Sequence, residues 1–162
     1  GAAGLPLSPE VSMAAHRIET AIDIAAPAER VWAILTDFAA YPEWNPFIRS
    51  IEGAPTEGSR LTVRIQPSGT KGMTFRPTVL TVTPNRQLSW LGRLVLPGIF
   101  DGEHRFTIEP IDDGRVRFRH EEQFQGLFVS LLRASLDRDT RRGFEEMNGA
   151  LKARAEDSGR GT

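Results

Sequence analysis

The sequence has no cysteine among its 162 residues, which excludes disulfides, thiolate chemistry and cysteine-ligated zinc. It has no surplus of either charge: 20 Lys and Arg stand against 21 Asp and Glu. The basic residues alternate with acids instead of forming a stripe, so nucleic acid is not expected as a partner. No apolar run approaches the roughly 18 residues that a membrane span needs, so stable membrane insertion is not expected either. No secretory apolar segment precedes Met13, and a cytoplasmic location is the expectation that follows. No repeat or low-complexity tract is present. The length suits one domain with a real core and room for a pocket. Residues 1–12 lack periodicity and are expected to be a disordered tail or a vector-derived remnant. Residues 13–156 are expected to form the single domain, and 157–162 a second disordered tail.

What is present alternates between strand and helix patterns. Ile18, Ile22 and Ile24 alternate with polar neighbours, as in a strand with one buried face. Pro27 suits the start of a helix, Glu29 favours its N-terminus, and Val31, Ile34 and Leu35 give its apolar stripe. Asp37 is placed to cap a second short helix that Pro42 and Pro46 limit. From Phe47 to Phe124 short strands are separated by turn chemistry at Gly53-Ala54-Pro55, Pro67-Ser68-Gly69, Pro84-Asn85 and Asp112-Asp113-Gly114, the pattern of an antiparallel meander. One strand is expected from Met73 to Thr83. A final helix from about Gly126 to Ala155 places Phe128, Leu132, Leu136, Thr140, Gly143, Met147 and Leu151 on one face. Its charges allow i,i+4 pairs at Asp137 with Arg141, Arg141 with Glu145, and Arg142 with Glu146.

The segment from Ile22 to Ile48 carries an ordered set: the strand Ile22-Asp23-Ile24, Pro27, Val31-Trp32, Leu35, Asp37-Phe38, Tyr41-Pro42 and Trp44. This set resembles the opening motif of the polyketide cyclase/dehydrase and lipid-transport family, within the START-like helix-grip (SRPBCC) superfamily, and the agreement runs from about Ile18 to Ala155. The resemblance implies an α+β helix-grip fold. In it a curved antiparallel sheet of about seven strands wraps a long C-terminal helix around an apolar cavity, with two short helices after the first strand. It also implies that Asp37, Tyr41 and Trp44 serve as scaffold and pocket floor. Members of this kind carry sterols, lipids or quinones, cyclise or dehydrate polyketide chains, or act as partner-binding adaptors. They share no catalytic motif, so no catalytic residue is transferred.

The sharpest chemical pattern lies around Asp112-Asp113-Gly114. With Gly114 in the left-handed position of a three-residue loop, Ile111 faces Arg115, Ile108 faces Phe118, Phe106 faces His120 and His104 faces Glu122. Strand alternation turns His104, Phe106, Ile108, Phe118, His120 and Glu122 toward the cavity, and Glu103, Arg105, Arg119 and Glu121 toward water. His104, His120 and Glu122 then form a polar cluster. One reading is a network that satisfies itself; the other is acid–base work, with Glu122 tuning a histidine and Arg76 or Trp90 near the substrate. The spacing matches no metal motif, and neither a metal nor any other cofactor is assigned.

Candidate ligand-lining residues are Trp44, Phe75, Trp90, Leu96, Phe106 and Phe118, with Leu136, Thr140, Gly143 and Met147 from the final helix. Trp32 is assigned to scaffold. Small residues at Thr140 and Gly143 either leave a void for ligand or let a ring or strand approach closely. The apolar connection from Leu94 to Phe100 is either a lid or an extension of its two strands. The leading expectation is a binder of a small hydrophobic or amphipathic ligand (lipid, quinone or polyketide-like) between sheet and helix. A cyclase or dehydratase using the His/Glu pair, and a protein-interaction module using the apolar loop, are the alternatives.

Overall fold

Alternation builds the first strand, β1 (Ala15–Ile24), in which Ile18 and Ile24 are fully buried. The computed structural model describes residues 15–94, 100–126 and 129–157. Leu96 and most of the apolar connection lie outside the described residues, as do residues 1–14 and the C-terminal tail beyond Asp157. After β1 come α1 (Ala28–Thr36), a 3-10 turn at Phe38–Ala40 and α2 (Tyr41–Trp44). They are followed by β2 (Ile48–Glu52), β3 (Thr62–Ile65), β4 (Met73–Phe75), β5 (Thr78–Thr83), β6 (Gln87–Leu94), β7 (Phe100–Asp112), β8 (Arg115–Gln125) and α3 (Val129–Glu156).

The strands form a five-stranded sheet in the order β1-β8-β7-β6-β5 and a three-stranded sheet in the order β2-β3-β4, all paired antiparallel. Residues 58–61 stitch the two together: Val79 N donates to Ser59 O and Leu61 N to Pro77 O, both at 2.9 Å, and Arg60 bridges Thr78. The result is the expected α+β helix-grip arrangement, with eight strands among the described residues instead of about seven. The expected strand from Met73 to Thr83 is broken at Arg76-Pro77, where Pro77 has no N–H to give to a ladder.

The helical elbow is held from inside. Tyr41 is fully buried and its hydroxyl donates to Leu35 O at 2.6 Å, while Asn45 Oδ1 accepts from the backbone N–H of Phe47 and Ile48, each at 2.9 Å. Pro27 stands just before α1 in extended conformation, and Glu29 lies in its first turn. Asp37 precedes the 3-10 turn without a side-chain capping bond, contrary to the expected role.

The charged face of α3 also differs from expectation. In place of the three i,i+4 pairs, Asp137 meets His16 Nε2 at 2.7 Å, Arg141 donates to Glu19 O at 3.1 Å and Arg142 to Ser68 O at 2.8 Å. Glu146 accepts from Ser68 Oγ at 2.6 Å. The strands beside the helix supply partners that its own next turn would otherwise supply. These bonds tie α3 to β1 on one side and to the β3–β4 turn on the other.

Gly143 decides how closely the elbow approaches this helix. The Phe47 ring, 2% exposed, fills the space that a Cβ at residue 143 would take, and it packs edge-on against Phe144 with centroids 5.6 Å apart. The close approach of a ring, not a void, is therefore what the glycine provides. Gly143→Ala gains up to about 1 kcal/mol of helix propensity but overpacks Phe47. The expected net outcome in denaturant unfolding is a loss of about 1–3 kcal/mol. Adding Phe47→Leu should recover part of that loss; equal stability of Gly143→Ala and the parent would show that the ring is free to move.

Candidate functional site

The β7–β8 ladder places the site. Ile108 pairs with Phe118, Phe106 with His120 and His104 with Glu122, as alternation requires, although the tip differs. Asp112, not Ile111, faces Arg115; a bulge absorbs Ile111, which stays 42% exposed. Gly114 does not adopt the left-handed conformation expected of it, and its N–H is held by Asp112 Oδ1 at 3.0 Å. Because the bulge is confined to the tip, the inward residues keep their register. His104 and His120 are 2% and 0% exposed. On the opposite face Glu121 is not solvated as expected: it is 8% exposed, beneath Arg17 of β1, with which it forms an ion pair.

The inward polar groups form one chain, buried at His104, His120 and Asn148 and half-buried at Glu122 and Thr20. Glu122 Oε2 contacts His104 Nδ1, His104 Nε2 lies 2.7 Å from His120 Nε2, and His120 Nδ1 lies 3.0 Å from Asn148 Oδ1. Asn148 Nδ2 donates to Thr20 Oγ1 at 2.8 Å, and the Thr20 hydroxyl donates to His120 O at 3.4 Å. Hydrogen bookkeeping fixes the direction. Thr20 has spent its one hydrogen, so it accepts from Asn148, and the Asn148 oxygen must accept from His120 Nδ1–H. A neutral imidazole has one N–H, so His120 Nε2 accepts from His104 Nε2–H, and His104 Nδ1 is left bare. The remaining hydrogen is then the one shared between His104 Nδ1 and the Glu122 carboxyl.

The surroundings agree with that neutral state. The Trp90 ring stacks on His104 at 5.2 Å and Phe144 stacks on His120 at 3.8 Å. Burial pushes the Glu122 carboxyl up to about 8, helped by the negative charge of Glu103. Burial pushes His104 down to about 3; it also lowers His120, with a further push from His104 that Asn148 partly offsets. Among the described residues no group of three His, Asp or Glu is arranged to hold a metal. The facing histidine nitrogens share a hydrogen instead.

Glu122 and His104 form part of the wall of a half-enclosed cavity of about 410 Å³ between sheet and α3. Its apolar wall comes from Phe47, Ile65, Met73, Phe75, Phe124 and Phe144, and Thr70, Lys71, Asp139 and Thr140 add polar groups to the lining. Of the expected lining residues, Phe75 and Thr140 line it. Trp90, Phe106, Phe118 and Met147 are fully buried in the core behind the wall, where neighbouring rings and aliphatic groups cover them. Gly143 is covered by Phe47, and the side chain of Leu136 lies outside the described residues. Trp44 and Asp37 line a separate groove with Glu29, Arg30 and Arg154, since the elbow turns their side away from the sheet. Tyr41 is core, Trp32 packs against the core half-buried, and Arg76 is exposed and does not line the cavity.

Sequence reasoning missed Phe47, Phe144, Asn148, Thr20 and Gly102. Asn148 follows Met147 beside the apolar stripe of α3 and lies one turn after Phe144; a polar side chain at that angle was the available signal. Gly102 pairs with Gly92 across β6 and β7, and a Cβ on it would stand 2.5 Å from Glu122 Oε1.

The sequence pattern of the polyketide cyclase/dehydrase and lipid transport family matches residues 15–156. No protein of curated function matches the chain. Among solved structures, the Zhui aromatase/cyclase from Streptomyces sp. R1128 is similar with a TM-score of 0.73 and 18% identity, over 88% of this chain and 94% of that one. Norcoclaurine synthase from Thalictrum flavum, in complex with dopamine and hydroxybenzaldehyde, gives 0.70 and 12% over 99% and 100%. A START superfamily protein from Mycobacterium smegmatis gives 0.65 and 24% over 87% and 97%. At these identities the likeness is one of fold. No helix among the described residues is long and apolar enough to cross a membrane.

The neutral cluster predicts a pH profile of stability. His104 stays uncharged in the fold down to about 3 and His120 is lowered in the same direction, while both protonate in the unfolded chain, so stability rises with pH up to the ordinary histidine value of 6.5. Glu122 keeps its proton up to about 8 in the fold but loses it near 4.5 when unfolded, so its contribution falls as pH rises between those values. The two histidines outweigh the one carboxyl below 6.5, and melting temperature is expected to peak near that pH. In Glu122→Gln the decline toward pH 8 should flatten while the acid limb remains. An unchanged alkaline limb would place the proton elsewhere.

Proposed function

The chain belongs to the polyketide cyclase/dehydrase and lipid transport family, and we propose that it binds a small hydrophobic or amphipathic molecule in the cavity between its sheet and α3. The observation that carries this reading is the aromatic-walled space of about 410 Å³ with the Glu122–His104 pair in its wall. That volume lies within the range of small-molecule sites, which are mostly apolar with a few placed polar groups. Lipids, quinones and polyketide-like rings are the classes to test. The apolar connection proposed for protein interaction falls outside the described residues, so no geometry favours that alternative.

A second reading, proton-transfer catalysis of the cyclase or dehydratase kind, is favoured by the hydrogen shared between Glu122 and His104. A carrier needs only the hydrogen bond. An enzyme needs the hydrogen to move, and the bare Nδ1 of His104 is positioned to take it when Glu122 gains one from a substrate. Here Glu122 would be the group touching substrate, His104 its proton partner, and His120 with Asn148 the residues that orient His104.

One variant separates the two. Glutamine keeps the shape of the neutral acid, and its amide N–H₂ can still donate to His104, but it cannot pass a proton. In thermal-shift titrations of lipid, quinone and polyketide panels, a true ligand at a hundredfold excess over Kd should raise the parent's Tm by about 5–10 °C. Glu122→Gln should bind that ligand within a few-fold. If the protein is an enzyme, turnover should drop by about a hundredfold or more in this variant. Absence of any shift across all three panels would remove the binding reading.

A further inference from the structure

The ligand's polar group can be narrowed from the hydrogen bookkeeping, and the narrowing rests on the ligand-binding reading above. Glu122 has two oxygens with different surroundings. Oε2 is engaged with His104 Nδ1. Oε1 lies over Gly102, on the side where a Cβ would project, and Gly102 itself lines the cavity. Among the described residues no donor reaches Oε1. In the neutral acid the hydrogen sits on Oε2, so Oε1 is a carbonyl oxygen that only accepts. If the hydrogen shifts to His104, Oε1 belongs to a carboxylate and still only accepts.

For Oε1 to carry a hydrogen into the cavity, His104 Nδ1 would have to donate to Oε2. That would reverse every bond in the chain and require the Thr20 hydroxyl to donate to Asn148, whereas it donates to His120 O. We infer that the cavity selects a neutral apolar molecule bearing a hydroxyl, phenolic or alcoholic, which donates its hydrogen bond to Glu122 Oε1. An acceptor-only group such as a ketone leaves Oε1 and its own oxygen facing each other unpaired. An anionic carboxylate adds the cost of burying a charge beside acceptors.

Gly102 is the positioning residue in this arrangement. Its backbone is outside the left-handed region, so alanine is compatible with the local conformation, and the only new atom falls 2.5 Å from Oε1. A methyl group there displaces the carboxyl from its place over the strand. Asn148 acts at the other end of the chain by fixing the tautomer of His120, and through it the tautomer of His104.

The experiment compares four probes by calorimetry: 2-naphthol, 2-acetylnaphthalene, 2-naphthoate and naphthalene. The parent protein should bind the naphthol at least about tenfold more tightly than the ketone, with the anion weakest. Glu122→Gln should keep the preference, since its carbonyl still accepts while its amide donates to His104. Glu122→Leu and Gly102→Ala should bring alcohol and ketone to within about threefold of each other. Should the leucine variant fail to fold, the alanine variant carries the comparison. Long-range ¹⁵N–¹H spectra should show His120 protonated at Nδ1 and His104 at Nε2. Equal affinity for alcohol and ketone, or His120 protonated at Nε2, would overturn the inference while leaving the cavity as a ligand site. If none of the four probes binds while a lipid, quinone or polyketide panel member does, this inference alone is overturned; if the panels give no shift either, the ligand-binding reading fails and this inference fails with it.

Discussion

The pairing of β7 with β8 is the constraint on which the rest depends. A shift of one residue in this pairing would turn one strand over relative to the other, sending either His104, or His120 with Glu122, to the outer face. The ladder resists this because Phe106 and Ile108 on one strand, or Phe118 on the other, at most 1% exposed, would be expelled from the core in the same step. Burial of one such side chain is worth about 1.5–3 kcal/mol. The register of the polar cluster is thus secured by its apolar neighbours in the same two strands, and the bulge at Ile111 takes up local irregularity without passing it inward.

The polar chain in turn depends on α3. A histidine pair in an apolar core is costly unless each nitrogen is matched. Asn148 provides the match for His120, and Phe144, one turn earlier on the helix, provides the stacking face. Both are delivered by a single helix whose distance from the elbow is set by Phe47 against Gly143. The elbow, the helix and the hairpin therefore meet at the two imidazoles. The cavity begins where that packing ends, with His104 contributing to both.

Much of this was legible in the residues themselves. Apolar alternation in the hairpin and the turn at Asp112-Asp113-Gly114 were enough to pair His104 with Glu122, because the pairing answers to a period of two and to a short connection. The elbow motif carried the fold. What was not legible depends on approach between elements distant in the chain. The spacing of Thr140 and Gly143 places them on one face of α3, but nothing in that spacing says that Phe47 would lean on the glycine. The assignment of Trp44 to the cavity failed for a related reason: helical periodicity defines a face without saying which side of the elbow the sheet occupies. Trp90, Phe106, Phe118 and Met147 share the cavity's apolar character, and only depth separates core from lining. Pro77 did carry a signal against one long strand, since it cannot donate to a ladder.

The clasp between the β3–β4 turn and α3 has a kinetic consequence. Ser68 holds this turn to the helix through Glu146 and Arg142, by exposed hydrogen bonds, whereas the Glu122 end of the cavity is anchored in the core. Exposed polar contacts of this kind contribute on the order of 1 kcal/mol or less each. Pro67, Thr70, Lys71 and Gly72 line the space beside the clasp, so parting it would widen that side of the cavity without disturbing the histidines. For a ligand of the proposed kind, residence time and equilibrium affinity would then answer to different residues: the clasp would set how fast an occupant leaves, and the carboxyl at the inner wall how strongly it is held.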